Sequence, residues 1–264
     1  MPTKTNPKVV ILAGGMGMRL KEETEYKPKP LVLIGPHPIL WHIMKTYMHY
    51  GFNDFVICLG YKGEMIKEYF LNYEAFNNDI TLEYGQKCKI KPIHNGQREN
   101  FKVTLVDTGS ETMTGGRIKR IEKYIDSDDF FMTYGDGVSN VNIKALYAFH
   151  LSHGKVATIT GVRPDSHFGE LVVSGDTVIA FSEKPQSKDG LISGGFFVLK
   201  KKIFRYIPDK DCFFEQEPMK NLLKNNQLKV NKHKGFWHCM DTMRDVKQLN
   251  DMWDSGQAPW KVWK

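Results

Sequence analysis

Short apolar runs alternate along this chain with longer segments in which apolar residues recur every three or four positions. Runs of this kind, rich in β-branched residues, predict buried strands over 9–12, 55–59, 102–106, 130–134 and 156–162. The periodic segments predict helices over 38–48, 62–73 and 142–153. Strands that alternate with helices in this way predict a mostly parallel sheet with right-handed crossovers.

The pattern changes near Phe168. Two short apolar stretches around a polar turn predict a β-hairpin over 171–181. The remaining elements predicted are a strand over 194–199 and helices over 214–225 and 244–254. Gln86–Asn100 is polar, basic and aperiodic, with no helix or strand signal. We expect one α/β domain over 1–264, a mixed, mostly parallel sheet flanked by helices, with a core at 8–162 and a C-terminal hairpin and helical elaboration at 163–264.

The composition disfavours several classes of function but does not identify the function of the chain. No apolar run reaches the length of a membrane span, and the N-terminus lacks the apolar core of a signal peptide, so a cytoplasmic location is expected. The four cysteines have no metal-ligand spacing, which favours free thiols. The net charge of +7 is compatible with an anionic partner. No basic run is interleaved with aromatic residues, so we expect no nucleic-acid partner.

Two positively charged residues follow the first predicted strand, close to a glycine turn. Gly14, Gly15 and Gly17 release the backbone for a concavity of N–H groups, and Arg19 adds charge to it. Lys29 stands between two prolines, which stiffen the chain around it. The turn fits neither the dinucleotide-binding nor the Walker pattern. Taken alone, it is as compatible with a plain tight turn as with phosphate binding.

Acidic residues stand beyond two later predicted strands. Asp136 lies between glycines at the end of 130–134, and Asp241 follows another short apolar stretch. Because strand ends meet at one edge of a parallel sheet, these residues and the polar turn at Thr108–Arg117 should converge on the glycine turn. Carboxylates beside phosphates suit Mg²⁺. By itself, Asp136 is more often a turn residue than a metal ligand, and Asp241 alone is a weaker indication still.

The combination resembles the sugar-1-phosphate nucleotidyltransferase family. LAGGMGMRL followed by KPKP is similar to the signature of that family. Further stretches resemble the cytidylyltransferase branch of that family more narrowly, among them TLVDTGSETMTGGR, YGDGV, GGFFVL and GFWHCMDTMRD. The resemblance implies a Rossmann-like fold of the nucleotide-diphospho-sugar transferase type. It also implies transfer of a cytidylyl group from CTP to α-D-glucose 1-phosphate, with Mg²⁺, giving CDP-glucose and pyrophosphate for deoxyhexose and surface-polysaccharide synthesis.

The same resemblance assigns roles by position. Lys29, Arg19 and Asp136 would be catalytic, and Asp136 and Asp241 would hold the metal. The nucleotide would contact Leu12, Ala13, Gly14, Gly15, Met16, Gly17, Met18, Arg19, Lys29, Thr112, Arg117 and Gly135. The sugar phosphate would lie along Gly169, Glu183, Lys184 and Gly194. Met18 departs from the family, which commonly has a small hydroxyl residue there, so a backbone N–H contact remains open at that position but a side-chain hydroxyl contact is not expected.

Three alternatives stay open. The chain could use another nucleoside triphosphate or sugar 1-phosphate, it could bind a sugar nucleotide without turnover, or it could be a dinucleotide-dependent oxidoreductase. The glycine spacing disfavours the last. The resemblance further implies a homo-oligomer, with a hexamer as one form it could take.

Overall fold

The computed structural model describes residues 6–84, 89–93, 99–164, 170–174, 177–182 and 190–263. The strands within these residues are β1 (Val9–Ala13), β2 (Leu33–Ile34), β3 (His37–Pro38), β4 (Asp54–Leu59), β5 (Asp79–Glu83), β6 (Lys89–Ile93), β7 (Lys102–Asp107), β8 (Asp129–Tyr134), β9 (Gly137–Ser139), β10 (Ala157–Val162), β11 (Glu170–Ser174), β12 (Thr177–Ser182), β13 (Ile192–Lys200), β14 (Leu228–Lys232) and β15 (Trp237–Cys239). The α-helices are α1 (Lys21–Thr24), α2 (Ile39–His49), α3 (Gly63–Leu71), α4 (Tyr73–Asn77), α5 (Thr114–Arg120), α6 (Ile143–His153), α7 (Glu217–Lys224) and α8 (Met243–Asp254).

A seven-stranded sheet in the order β14-β10-β13-β8-β1-β4-β7 organises the fold. The pairs β8–β1, β1–β4, β4–β7 and β10–β14 are parallel. Strand β13 runs antiparallel to both of its neighbours, β8 and β10. The expected mixed, mostly parallel sheet is therefore confirmed, and the parallel strands deliver their carboxyl ends to one edge.

Both faces of the sheet are covered, which explains the unbroken apolar runs. Val9, Ile11 and Ala13 of β1 pack into a core shared with α2, α6 and α8. Val10 and Leu12 point to the opposite core, which α5 and α7 help to close. Successive side chains of a strand point to opposite faces, so a strand between two helix layers needs apolar residues at every position.

The C-terminal third is part of the main sheet as well as an addition to it. Strand β13, predicted over 194–199 as part of the elaboration, lies between β8 and β10, and β14 forms one edge. The predicted hairpin is confirmed as the antiparallel pair β11–β12. The division of the chain near residue 162 stays a prediction about function.

Two local expectations were wrong. Gln86–Asn100 was expected to contain no strand, but β6 pairs antiparallel with β5. The side chains of β5 are all exposed, and Lys91 of β6 pairs with Glu83 of β5 at 2.6 Å, so no buried apolar run marks β6. The segment Thr108–Arg117 was expected to be a turn throughout, but α5 begins at Thr114. None of the helices in the described parts of the chain is long and apolar enough to cross a membrane.

Candidate active site

The turn after β1 forms one wall of a cavity of about 440 Å³ at the carboxyl edge of the sheet. The cavity is lined by Leu12, Ala13, Gly14, Gly15, Gly17, Met18, Arg19, Lys29, Pro30, Thr112, Met113, Thr114, Arg117, Tyr134, Gly135, Asp136 and Phe213. Every residue that the sequence assigned to the nucleotide lies in this lining except Met16, whose side chain is 45% exposed. The structure thus brings together the glycine turn, Lys29, Asp136 and the segment that precedes α5.

Gly17 shows why this turn needs glycine. Its φ is +63°, a left-handed conformation that other residues adopt at a cost. A Cβ on Gly17 would also lie 2.7 Å from Cγ2 of Thr24. The Thr24 hydroxyl donates hydrogen bonds to the carbonyls of Gly17 and Leu20, at 3.1 and 2.9 Å. Thr24 therefore fixes one side of the turn, and the other side faces the cavity.

The buried guanidinium of Arg117 joins the ends of three strands. Its Nη2 donates to the carbonyl of Gly14 after β1 (2.8 Å), and its Nη1 to that of Leu59 in β4 (2.9 Å). Nη1 also donates to Thr108 Oγ1 and Gly109 O, which follow β7, at 2.8 and 2.7 Å. The terminal N–H groups are thus engaged with the protein itself. That Arg117 contacts a nucleotide stays a prediction.

Thr112 lies beside this cluster with one hydrogen-bonding function engaged. Its Oγ1 accepts from Nη1 of Arg120 at 2.7 Å. A hydroxyl that accepts one hydrogen bond still has its own proton to donate. Thr112 can therefore offer a donor to a ligand in the cavity.

Lys29 is buried where the cavity floor meets two carboxylates. Only 7% of its surface is exposed. Its Nζ donates to Asp136 Oδ2 at 2.8 Å and to Asp241 Oδ1 at 2.6 Å. Burial by itself would lower the pKa of Lys29, but the charge and hydrogen bonds of the two aspartates outweigh burial and raise that pKa above its ordinary value. Lys29 therefore keeps its proton.

Arg19 approaches the same carboxylates from the solvent side. Its Nη1 lies 2.7 Å from Asp241 Oδ2, and its side chain is 75% exposed. Such an exposed arginine can exchange one anionic partner for another at little cost. Arg19 and Lys29 thus place two positive charges at one end of the cavity.

A third potential ligand, Cys239, joins Asp136 and Asp241. One ligand atom from each of these residues lies within 4.8 Å of the others. Burial, reinforced by the charge of Asp136, raises the pKa of the Cys239 thiol, so it stays protonated. The hard carboxylate oxygens suit Mg²⁺, whereas a protonated thiol does not. The two aspartates therefore fit a magnesium ion.

A second cavity of about 290 Å³ adjoins the first and shares Arg19, Tyr134 and Asp136 with it. Its other lining residues are Thr133, Gly137, Ser193, Gly194, Gly195, Phe196, Trp237, Cys239 and Asp241. The Trp237 indole N–H donates to the carbonyl of Gly194 at 2.7 Å. Gly194 thus lies in this cavity, whereas the other sequence-assigned sugar-phosphate residues, Gly169, Glu183 and Lys184, are outside the described residues.

A comparison with known proteins identifies the family to which this chain belongs. The family model described as nucleotidyl transferase matches residues 8–259. The chain belongs to the nucleotidyl transferase family. Members of this family generally use a divalent metal ion, which agrees with the paired aspartates. The family resemblance drawn from the motifs is confirmed.

Relatives within the nucleotidyl transferase family cover nearly the whole chain. The probable glucose-1-phosphate cytidylyltransferase of Bacillus subtilis (strain 168) is 48% identical over 257 residues, 97% of this chain and 100% of the relative. The glucose-1-phosphate cytidylyltransferase of Salmonella typhi is also 48% identical, over 258 residues and the same shares. The crystal structure of HddC from Yersinia pseudotuberculosis matches with a TM-score of 0.68 at 26% identity, covering 94% of this chain and 100% of HddC.

Several lining residues of the two cavities were not identified from the sequence, among them Tyr134, Phe213, Trp237 and Cys239. Three of these occupy motifs that carried the resemblance, YGDGV and GFWHCMDTMRD, so a signal existed for them. Phe213 lies in a segment with no motif, and only the three-dimensional structure brings it to the cavity.

Proposed function

We propose that this chain transfers a cytidylyl group from CTP to α-D-glucose 1-phosphate, forming CDP-glucose and releasing pyrophosphate. The observation that carries the proposal is the meeting of the two cavities at Asp136, where Lys29 contacts both Asp136 and Asp241. The names of the relatives at 48% identity support the choice of substrates.

The larger cavity suits the nucleotide. We place the cytidine along Leu12–Gly15, with Thr112 and Gly135 beside it, and the phosphates along Gly17–Arg19. The smaller cavity suits the sugar phosphate, with Gly194 in its lining. Gly169, Glu183 and Lys184 are proposed to complete the sugar-phosphate contacts.

We propose Mg²⁺ as the metal, held by Asp136 and Asp241. When bound, Mg²⁺ neutralises phosphate charge and so assists displacement at phosphorus. The same two carboxylates contact the Lys29 ammonium, at 2.8 and 2.6 Å.

The reaction asks the protein for alignment and charge neutralisation rather than for a base. A phosphate oxygen of glucose 1-phosphate forms a new bond to the α-phosphorus of CTP, while the bond from that phosphorus to the bridging oxygen of pyrophosphate breaks. The nucleophile is already anionic near neutral pH, so no proton has to be removed. Lys29 offsets the repulsion between the two phosphates, and Arg19 stabilises the departing pyrophosphate.

A pyrophosphate-release assay over four nucleoside triphosphates and several sugar 1-phosphates tests this function. We expect the highest kcat/KM with CTP and glucose 1-phosphate, and no turnover without a divalent metal. Greater turnover with UTP, dTTP or another sugar phosphate would replace the substrate assignment. Binding of CDP-glucose without pyrophosphate release from any pair would favour a non-catalytic relative. Binding of NAD(P) would revive the oxidoreductase alternative.

We further propose that the protein is a homo-oligomer. The β5–β6 ribbon exposes apolar side chains that a partner subunit would cover, among them Ile80, Leu82 and Ile93. Light scattering coupled to size exclusion would measure the mass, with a hexamer as one expected value; a monomer at micromolar concentration would refute the proposal. A cytoplasmic location and a role in surface-polysaccharide synthesis stay predictions.

A further inference from the structure

The carboxylate of Asp245, in the first turn of α8, is hydrogen-bonded to the backbone of a proposed metal ligand. Its Oδ2 accepts from the Asp241 N–H at 3.0 Å. The same oxygen accepts from the N–H and the hydroxyl of Thr242, both at 2.8 Å. Asp245 is buried and lines neither cavity. Any influence of Asp245 on the site must therefore pass through the residues that it holds.

Only part of this arrangement is needed to begin a helix. Thr242 and Asp245 form a capping box, in which Thr242 Oγ1 accepts from the Asp245 N–H and Asp245 accepts from the Thr242 N–H. The bond to the Asp241 N–H lies outside this box. A further bond joins Nε2 of His238 to Asp245 Oδ1 at 3.1 Å. Asp245 thus connects residues on both sides of Asp241, in addition to capping α8.

The backbone around Asp241 fixes its distance from Asp136 more firmly than its orientation. The Met240 N–H donates to the carbonyl of Asp136 at 2.8 Å, so the two aspartates are tied together one residue before Asp241. The N–H of Asp241 itself has two acceptors, the Cys239 carbonyl at 3.2 Å and the Asp245 carboxylate at 3.0 Å. The carboxylate is the nearer acceptor, and an ionised acceptor forms the stronger hydrogen bond. Asp245 therefore determines how this peptide is turned.

The orientation of this peptide decides where the Asp241 carboxylate points. Its Oδ1 lies 2.6 Å from Nζ of Lys29, and its Oδ2 lies 2.7 Å from Nη1 of Arg19. A carboxylate placed between two cations has little freedom to compensate for a rotated backbone. Mg²⁺ in addition requires near-ideal octahedral geometry. Groups that hold a metal ligand in place typically change metal affinity 10–100-fold when they are replaced.

We propose that Asp245 is a positioning residue for the metal: it holds the peptide of Asp241 in the orientation that brings the Asp241 carboxylate to the proposed metal site. His238 fixes the second carboxylate oxygen of Asp245. This inference rests on the proposed function, in which Asp136 and Asp241 hold a divalent metal ion. It gives Asp245 no contact with substrate or metal.

Three variants separate positioning of Asp241 from capping of α8. Asp245→Glu retains the capping box, because glutamate is a standard residue at this place in the box, but its extra methylene displaces the carboxylate from Asp241 and His238. Asp245→Ala removes the cap and the bond to Asp241 together. Asn142→Ala is the matched control, since Asn142 caps α6 by accepting from the Ala145 N–H at 2.9 Å and lines neither cavity.

Metal binding is measured without turnover, by titrating Mn²⁺ and following its EPR signal, once with the protein alone and once with CDP-glucose. Mn²⁺ takes the same oxygen ligands as Mg²⁺. Its Kd should rise about tenfold or more in both Asp245 variants. Urea unfolding should show wild-type stability in Asp245→Glu. Asn142→Ala should be less stable than wild type but bind Mn²⁺ with wild-type affinity.

The pyrophosphate-release assay gives a second measurement. The Mg²⁺ concentration for half-maximal rate should rise about tenfold in Asp245→Glu, while KM for glucose 1-phosphate stays within a few-fold of wild type. A change confined to the metal dependence is not expected from general loss of structure.

Wild-type Mn²⁺ affinity in Asp245→Glu would show that Asp245 only caps α8, and the proposal would be overturned. An equal loss of Mn²⁺ affinity in Asn142→Ala would overturn it too, because the loss would then follow stability. The same holds if wild type bound no Mn²⁺ with or without CDP-glucose. If wild type bound Mn²⁺ but released no pyrophosphate from any substrate pair, the proposed function would fail, and the Mn²⁺ titration would still decide the role of Asp245.

Discussion

At the scale of single residues, Lys29 illustrates how neighbours define a side chain's role. Two prolines fix the backbone on either side of it, and burial leaves the ammonium facing two carboxylates. A positive charge held in this way costs no reorganisation when phosphate charge develops beside it. The aspartates also keep its pKa high, so Lys29 stays charged over the range in which the enzyme would work.

Replacing Lys29 should affect the chemical step more than binding. We expect Lys29→Ala to lower kcat about 100-fold or more while KM for CTP changes only a few-fold, since the repulsion it offsets is greatest in the transition state. Steady-state pyrophosphate release measures both. Lys27→Ala is the matched control, because Lys27 lies two residues away and pairs with Glu23 instead. A wild-type kcat in a folded Lys29→Ala protein would exclude the role given to Lys29.

Removal of one proposed metal ligand gives a separate test. In Asp136→Ala we expect at least a 100-fold loss of Mg²⁺-dependent turnover, because the remaining Asp241 leaves the ion with one protein carboxylate. A Mg²⁺ titration of the rate measures this loss. Asp251→Asn, which alters an exposed ion pair with Lys247, should titrate like wild type. Unchanged activity and Mg²⁺ dependence in Asp136→Ala would contradict the two-aspartate site.

Residue chemistry explains which parts of the candidate site were predictable. Lys29 and Asp136 lie next to glycine or proline, and such residues mark special backbone positions in any sequence. Cys239 gave no such mark: it has no metal-ligand spacing and joins the aspartates only because β15 pairs with β9. The bonding of Arg117 was equally invisible, because all but one of its acceptors are backbone carbonyls, which every residue has.

At the scale of elements, the candidate site depends on how strand ends are held together. Strands β1, β4 and β7 are adjacent, and the guanidinium of Arg117 connects the residues at their carboxyl ends. Two glycines make room for it: a Cβ on Gly14 or Gly60 would lie 2.2 or 2.4 Å from Nη1. The absence of those side chains lets the guanidinium sit under the turn. We therefore infer that Arg117 positions the glycine turn.

Adding one methyl group at Gly60 should loosen this arrangement. We expect Gly60→Ala to lower the free energy of unfolding by about 1–3 kcal/mol, because the new Cβ would also lie 2.5 Å from the Gly14 carbonyl. Its KM for CTP should rise, since the glycine turn would move. Urea unfolding and steady-state kinetics measure the two effects. Gly15→Ala, which has nothing within 4 Å of the new Cβ, should unfold like wild type. If Gly60→Ala and wild type were equally stable, the inference that Arg117 positions the glycine turn would be contradicted.

The same scale shows why most elements were predictable and their arrangement was not. Strands β1, β4 and β8 are buried on both faces, and each can therefore be recognised in the sequence by its apolar run. Strand β13 is equally buried, but nothing local records that it enters between β8 and β10 in the opposite direction. Strand β6 pairs with the exposed strand β5 and not with the main sheet. No buried apolar run therefore marks β6 in the sequence.

At the scale of the whole molecule, the C-terminal segment closes back on α2. Trp260 is fully buried, and its indole N–H donates to Nδ1 of His42 at 3.4 Å. His42 is also fully buried, and its Nε2 donates to the carbonyl of Ile34 at 2.9 Å. Trp253 packs against the same ring edge to face. Both ring nitrogens of His42 are thus engaged, one as donor and one as acceptor, which defines a neutral imidazole.

This arrangement predicts that acid weakens the fold through His42. Burial, aided by the charges of His37 and Lys261, lowers the pKa of His42 from 6.5 to about 4. The unfolded chain therefore binds this proton first, and stability falls as the pH drops from about 6.5 towards 4. Between pH 7.5 and pH 5, the shift corresponds to a loss of about 2 kcal/mol in the free energy of unfolding from this residue.

Urea unfolding at the two pH values measures this loss by comparison with variants that cannot titrate there. His42→Gln keeps a donor for the Ile34 carbonyl but has no ionisable group, so its stability should change by about 2 kcal/mol less than that of wild type between pH 7.5 and 5. His49→Gln removes an exposed histidine of the same helix and should retain the wild-type pH dependence. If the free energy of unfolding changed equally with pH in wild type and in His42→Gln, acid would destabilise the fold through other residues. The contact between Trp260 and α2 would then not depend on the protonation of His42.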